Sequence, residues 1–234
     1  MIDLGERRRL LMLERMGITV WSQRRTVSAG AAGTALIAPP AEEPVAEPWE
    51  PLLQSIKACR RCSLCEGRRN AVPGVGERTA ALLIVGEAPG ADEDRSGEPF
   101  VGRAGQLLDQ MLKAIHRRRD SDCFITNTVK CRPPGNRNPE PAELQACGPY
   151  LDAQIRLIKP RVIVALGLVA AQRLLATREP LHQLRGAPRA HPETGTPVLV
   201  TYHPAYLLRR PADKARAWAD WKVLHRLLDG KVVS

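Results

Sequence analysis

Short apolar runs alternate along this chain with stretches of helical length. The runs lie at 81–85, 123–126, 162–166 and 198–201; the helical stretches lie near 104–117, 141–157, 168–176 and 212–228. Apolar runs this short, set between helices, predict the strands of a parallel sheet covered on both faces. The fold class is therefore expected to be α/β. Ligands of such sheets sit beyond the C-terminal ends of the strands. That rule singles out the segments 86–94, 127–138 and 202–209. Upstream, residues 3–17 predict a short helix with Leu10, Leu11, Leu13 and Met16 on its apolar side. Residues 26–48 are rich in Ala, Gly, Pro and Glu without periodicity, which predicts a linker. The compact domain is expected over 49–234, with its last patterned residue near Leu228.

Composition adds a partner class. The chain has 35 Lys and Arg against 25 Asp and Glu, a formal charge of +10 and a pI near 9.8. Such an excess favours a polyanion, nucleic acid before membrane, because neutralised phosphates release their counterions. A merely soluble basic protein is the competing reading of charge alone. No apolar run approaches the roughly 20 residues that span a bilayer, and the charged stretch 1–21 lacks the apolar core of a signal peptide. The expected location is the cytoplasm. In that reducing setting the six cysteines are expected to serve a metal or cluster before disulfides. Cys59 and Cys62 form a C-x2-C pair, while Cys131 and Cys147 follow far downstream, Cys147 on a predicted helix. Four thiolates can hold zinc or an iron–sulfur cluster, and the spacing does not choose. Cys65 is a rival ligand, and Cys123, inside a strand, is expected in the core.

The three loops carry the chemistry. After the first strand come Gly86, Glu87, Ala88, Pro89 and Gly90, then Glu93. Glycines here allow close backbone approach to a ligand, and the acids can orient a water; a plain tight turn has the same look. Phe100 offers an aromatic face. Asn127, at the end of the second run, offers a donor and an acceptor together, which suits a pyrimidine edge. His203 stands at a strand end beside Pro204.

Together GEAPGADED, EPFVGRAGQLLD, TNTVKCRPPGNRNPEP and HPAYLLRRP resemble the family 4 uracil-DNA glycosylases, over roughly residues 50 to 230. The resemblance implies a three-layer α/β/α fold around a four-stranded parallel sheet, and a 4Fe–4S cluster on Cys59, Cys62, Cys131 and Cys147. It leaves Cys65 outside the ligand set, because the family's C-x2-C pair stands just before an E-G-R triplet, here Glu66-Gly67-Arg68. By the same likeness Phe100 stacks on a flipped-out uracil and Asn127 reads its edge. Backbone groups of Gly86, Glu87 and Ala88 hold the base oxygens, and His203 stabilises charge on the departing base. Other branches of the superfamily carry an Asp where this chain has Ala88. Glu87 is therefore the candidate for orienting water; Glu93 is the second choice, placed near uracil C5 to exclude thymine. The loop after Lys130 lacks the basic insertion through which a related branch traps DNA covalently. Lys130, Asn136, Arg137 and Arg209 are the candidates for DNA contact.

The segment from Met16 to Arg25 resembles the N-terminal peptide of the psi subunit of bacterial DNA polymerase III, which implies clamp-loader docking by an arm, residues 1–25. A basic arm gripping DNA is the plainer reading. The whole is expected to act on uracil-containing DNA as a monomer. Its alternatives are a non-catalytic module tethered at the replication machinery, and a zinc-bound nucleic-acid protein.

Overall fold

A computed structural model describes residues 49–230. The arm at 1–25, its helix at 3–17 and the linker at 26–48 lie outside the described residues. The chain begins with α1 (Trp49–Lys57), α2 (Leu64–Gly67), β1 (Val75–Gly76), β2 (Leu82–Gly86) and α3 (Ala91–Ser96). It continues through α4 (Arg103–Ala114), β3 (Cys123–Asn127), α5 (Pro141–Ile158), β4 (Val162–Leu166), α6 (Leu168–Leu175) and α7 (Leu181–Leu184). The last elements are β5 (Arg189–Ala190), β6 (Pro197–Thr201), α8 (Pro204–Arg209) and α9 (Lys214–Leu228), with 3-10 turns at Pro134–Asn136 and Pro211–Asp213.

The sheet order is β1-β3-β2-β4-β6-β5. Its four inner strands are parallel, as the apolar runs predict, while β1 and β5 pair antiparallel at the two edges. The expected four-stranded sheet thus carries two further strands of two residues each, too short to show an apolar pattern. Residues of one strand alternate between faces. Leu82 and Ile84 join Leu108, Leu112, Trp221 and Leu224 beneath α4 and α9. Leu83 and Val85 join Leu151, Ile155, Ala170 and Leu174 beneath α5 and α6. Burial on both faces explains why β2, β3 and β4 read as unbroken apolar runs.

Helix α5 shows how local signals set an element. Pro141 occupies its first turn, where no N–H is needed, and the Glu143 carboxylate accepts the Glu140 N–H at 2.7 Å. It ends at Lys159, left-handed at φ 50°, just before Pro160. Among the described residues, no helix is long and apolar enough to cross a membrane.

Candidate functional site

The C-terminal ends of the parallel strands open into a cleft of about 400 Å3. The register of β2 against β3 sets Gly86 beside Asn127. A Cβ on Gly86 would stand 2.6 Å from the Phe100 ring and closer still to Asn127 Oδ1, so only a bare backbone fits. Asn127 is buried at 1% exposure, and its Oδ1 has no hydrogen-bond partner among the described residues. An unpaired buried acceptor is costly unless a ligand completes it. Phe100 sits above, left-handed at φ 56°. Arg119 holds that conformation by donating to the carbonyls of Phe100 and Pro99 at 3.0 and 2.8 Å. Gly105 makes room, since any Cβ there would strike the Phe100 carbonyl.

His203 is the N-cap of α8. Its Nδ1 accepts the Ala205 N–H at 3.2 Å, which leaves the ring proton on Nε2. The ring lies 5.6 Å from that of Phe100, centroid to centroid. Burial, with the nearby Arg209 charge, pushes its pKa down to about 4, against a weaker pull upward from Glu93. At neutral pH His203 is thus an uncharged donor.

The two acids of the first loop differ. Glu93 accepts the Gly90 N–H at 3.0 Å with one oxygen, and the Val101 and Gly102 N–H groups at 3.0 and 3.1 Å with the other. It lines the cleft, but its carboxylate ties α3 to the Phe100 segment. Glu87 lines the same cleft half-buried, and burial raises its pKa. Its carbonyl accepts from Thr128 Oγ1 at 2.5 Å, which anchors the loop to the segment after β3. Ala88 packs against Cys131, Cys147, Leu64 and Val129, so its methyl faces an apolar wall.

Two of the cations expected to touch DNA are engaged elsewhere. Lys130 is a correction: it is 1% exposed, and its Nζ donates to Thr126 Oγ1, the Asn127 carbonyl and Gln154 Oε1, all at 2.7 Å. A side chain buried in this way cannot reach a phosphate. Arg137 borders the cleft but donates to both oxygens of Glu143, at 2.9 and 2.7 Å. Asn136 and Arg209 are exposed on the rim, as a contact requires. Pro133, Asn138 and Tyr206 also line the cleft. Their lining role has no sequence signal beyond their place in the predicted loops.

Behind Ala88, Cys59, Cys62, Cys65, Cys131 and Cys147 line one small cavity. Arg68 donates to Cys131 Sγ at 2.9 Å, and the Lys130 backbone N–H to Cys147 Sγ at 3.3 Å. Cys65, expected to stand apart, shares that wall. Cys123 is in the core as expected, where burial pushes its thiol up to about 12.

The model of the uracil DNA glycosylase superfamily matches residues 73–224. The chain belongs to that superfamily. It is 50% identical to a type-4 uracil-DNA glycosylase of Pyrobaculum aerophilum, over 69% of this chain and 85% of the relative. The same name is carried by a relative from Archaeoglobus fulgidus, 42% identical over 79% of this chain and 96% of the other. A third, from Thermotoga maritima, is 43% identical over 73% and 88%. The matched span contains the whole cleft, from Gly86 to Arg209.

Proposed function

We propose that the protein is a uracil-DNA glycosylase, hydrolysing the N-glycosidic bond of flipped-out uracil to start base excision repair. The observation that carries this reading is the buried Asn127 amide, its Oδ1 unpaired, set beside Phe100 and a neutral His203. Uracil presents N3–H beside a carbonyl, which one amide can meet with an acceptor and a donor. The Phe100 ring stacks on the base, and the backbone at Gly86, Glu87 and Ala88 faces its oxygens. As the bond from sugar C1′ to N1 breaks, negative charge grows on the base, and His203 Nε2–H donates to it. A preorganised donor of this kind is worth about 3–4 kcal/mol of barrier. Glu87 orients the water whose oxygen bonds to C1′, and its raised pKa suits a base that takes up the water's proton. Glu93 acts through the backbone it binds.

A 4Fe–4S cluster on Cys59, Cys62, Cys131 and Cys147 belongs to the same proposal. The donors fit: these four thiols share a cavity, which Cys65 also borders, and two N–H groups point at the sulfurs of Cys131 and Cys147. When bound, the cluster supplies a cross-link between the Cys59–Cys62 segment, the β3 loop and α5. The protein is read as a monomer acting on DNA. The arm at 1–25 is read as a clamp-loader tether on its ten-residue likeness alone.

The test is excision from a labelled uracil-containing oligonucleotide by protein purified without air. Wild type should leave alkali-labile abasic sites, and His203→Ala should lower single-turnover excision by about 10²–10³-fold. No cleavage by a brown, cluster-loaded protein would overturn the reading. Full single-turnover activity in Glu87→Gln would remove Glu87 from its role.

A further inference from the structure

A second and wider cleft, of about 840 Å3, adjoins the cysteine cavity, and Cys65 borders both. Its walls carry Lys57, Arg60, Arg68 and Arg69 against one acid, Glu98. Arg68 is turned inward: beyond Cys131 Sγ it donates to the carbonyls of Lys57 and Cys59 at 2.7 and 3.0 Å. Lys57, Arg60 and Arg69 are exposed, and among the described residues none of them forms an ion pair. Unpaired cations on a concave wall concentrate positive potential and draw in a polyanion.

We propose that this cleft holds the phosphate backbone of the DNA strand that flanks the flipped uracil. The inference rests on the glycosylase reading and adds the path of the strand. Helix α3 links the two sites. Gly90 and Glu93 at its N-terminal end line the base cleft; Ser96 and Gly97 at its other end line the basic one. Six helical residues span roughly 9 Å, the axial rise of about two to three nucleotides at about 3.4 Å of duplex axis each. The spacing is also fixed. Buried Asp94 accepts the Arg69 N–H at 2.8 Å, and Asn70 Nδ2 donates to the Asp94 carbonyl at 2.9 Å, clamping Arg69 to α3. Lys57 and Arg60 stand on either side of Cys59 in sequence, so the proposed cluster ligand sets their position too. Three exposed cations on one cleft wide enough for a strand suit several phosphates better than one small anion.

The test is binding of a labelled uracil-containing oligonucleotide by the cluster-loaded full chain, followed by anisotropy over a salt series. Arg60→Gln/Arg69→Gln should weaken binding about tenfold at low salt and flatten the slope of log K against log salt by about 2, one for each cation lost. Arg161→Gln/Arg226→Gln removes the same charge from exposed positions outside both clefts and should match wild type. Visible absorbance and melting temperature check that each variant is folded. The stronger pair Arg60→Glu/Arg69→Glu should weaken binding further. Affinity and slope equal to wild type in both groove pairs would overturn the proposal, as would an equal loss in the control. Excision by wild type, measured on the same preparation, separates the two claims. Excision with unaltered groove variants removes only the strand path. Absent excision with weakened groove variants removes the glycosylase reading and leaves a DNA-binding cleft.

Discussion

At Asn127 and His203, the proposed chemistry depends on what each side chain is denied. Asn127 Oδ1 is denied a protein donor, and His203 is denied a charge by burial and by Arg209. The His203 shift has a sign that can be checked. Its folded pKa, about 4, lies below the ordinary value near 6.5. Above 6.5 both the folded and unfolded states hold the ring neutral. Between 6.5 and about 4 only the unfolded state gains the proton, so stability is lost as the pH drops through this window. NMR titration should therefore show no His203 transition near 6.5. A His203→Asn variant should lose less stability than wild type between pH 7 and 5. A measured pKa near 6.5 would mean that the ring is open to water. His203 and Asn127 are legible in the sequence, because each stands at the end of an apolar run. The difference between Glu87 and Glu93 is not, because it depends on which backbone N–H groups fold back onto each carboxylate.

At the scale of elements, the segment after β3 joins two functions. Lys130 Nζ bonds the Asn127 carbonyl, Thr126 Oγ1 and Gln154 Oε1, while Thr126 Oγ1 and Gln154 Nε2 both donate to the Pro73 carbonyl at 2.8 Å. This buried network pins β3 to α5 and to the segment before β1, directly beneath Asn127, the amide proposed to read the base. Lys130→Met fills similar space but leaves three buried acceptors without that donor. The expected loss is about 2–4 kcal/mol of stability, read by denaturant unfolding, with a raised KM for uracil DNA. A change under about 0.5 kcal/mol would show that the network is dispensable. In the sequence Lys130 looks like a phosphate ligand, because it stands in a basic loop beside Cys131 and Arg132. Only the position of α5, bringing in Gln154, turns it inward.

Among the described residues, α3 links the cleft at the strand ends to the basic cleft, and Cys65 borders both the basic cleft and the cysteine cavity. If the cluster cross-links three segments, its loss should affect both neighbouring clefts. Cys147→Ser should lose visible absorbance and lower the melting temperature by more than about 5 °C. Cys65→Ser should keep the absorbance, since the likeness places only the other four sulfurs on iron. The reverse pattern would reassign the ligand set.

Short-range physics determined the four inner strands, helices α4, α5, α6 and α9, the parallel inner sheet, and the three segments at its C-terminal edge; helices α1, α2, α3, α7 and α8 were not legible. Run length, proline placement and two-sided burial are all written locally. Asn127 and His203 are candidates because each stands at the end of an apolar run, and Phe100 because its motif resembles the family's; the choice of Cys59, Cys62, Cys131 and Cys147 over Cys65 rests on that family likeness, since spacing alone does not make it. The tertiary structure decided which polar groups are free. Lys130 and Arg137 are taken by Gln154 and Glu143, Glu93 by backbone N–H groups, and Lys57, Arg60 and Arg69 by none of the described residues. A side chain's availability is set by its partners, and Gln154 stands 24 residues beyond Lys130, where no local pattern connects them. The edge strands β1 and β5 escaped for a related reason: two residues hold no period, and only the neighbouring strand makes them part of a sheet.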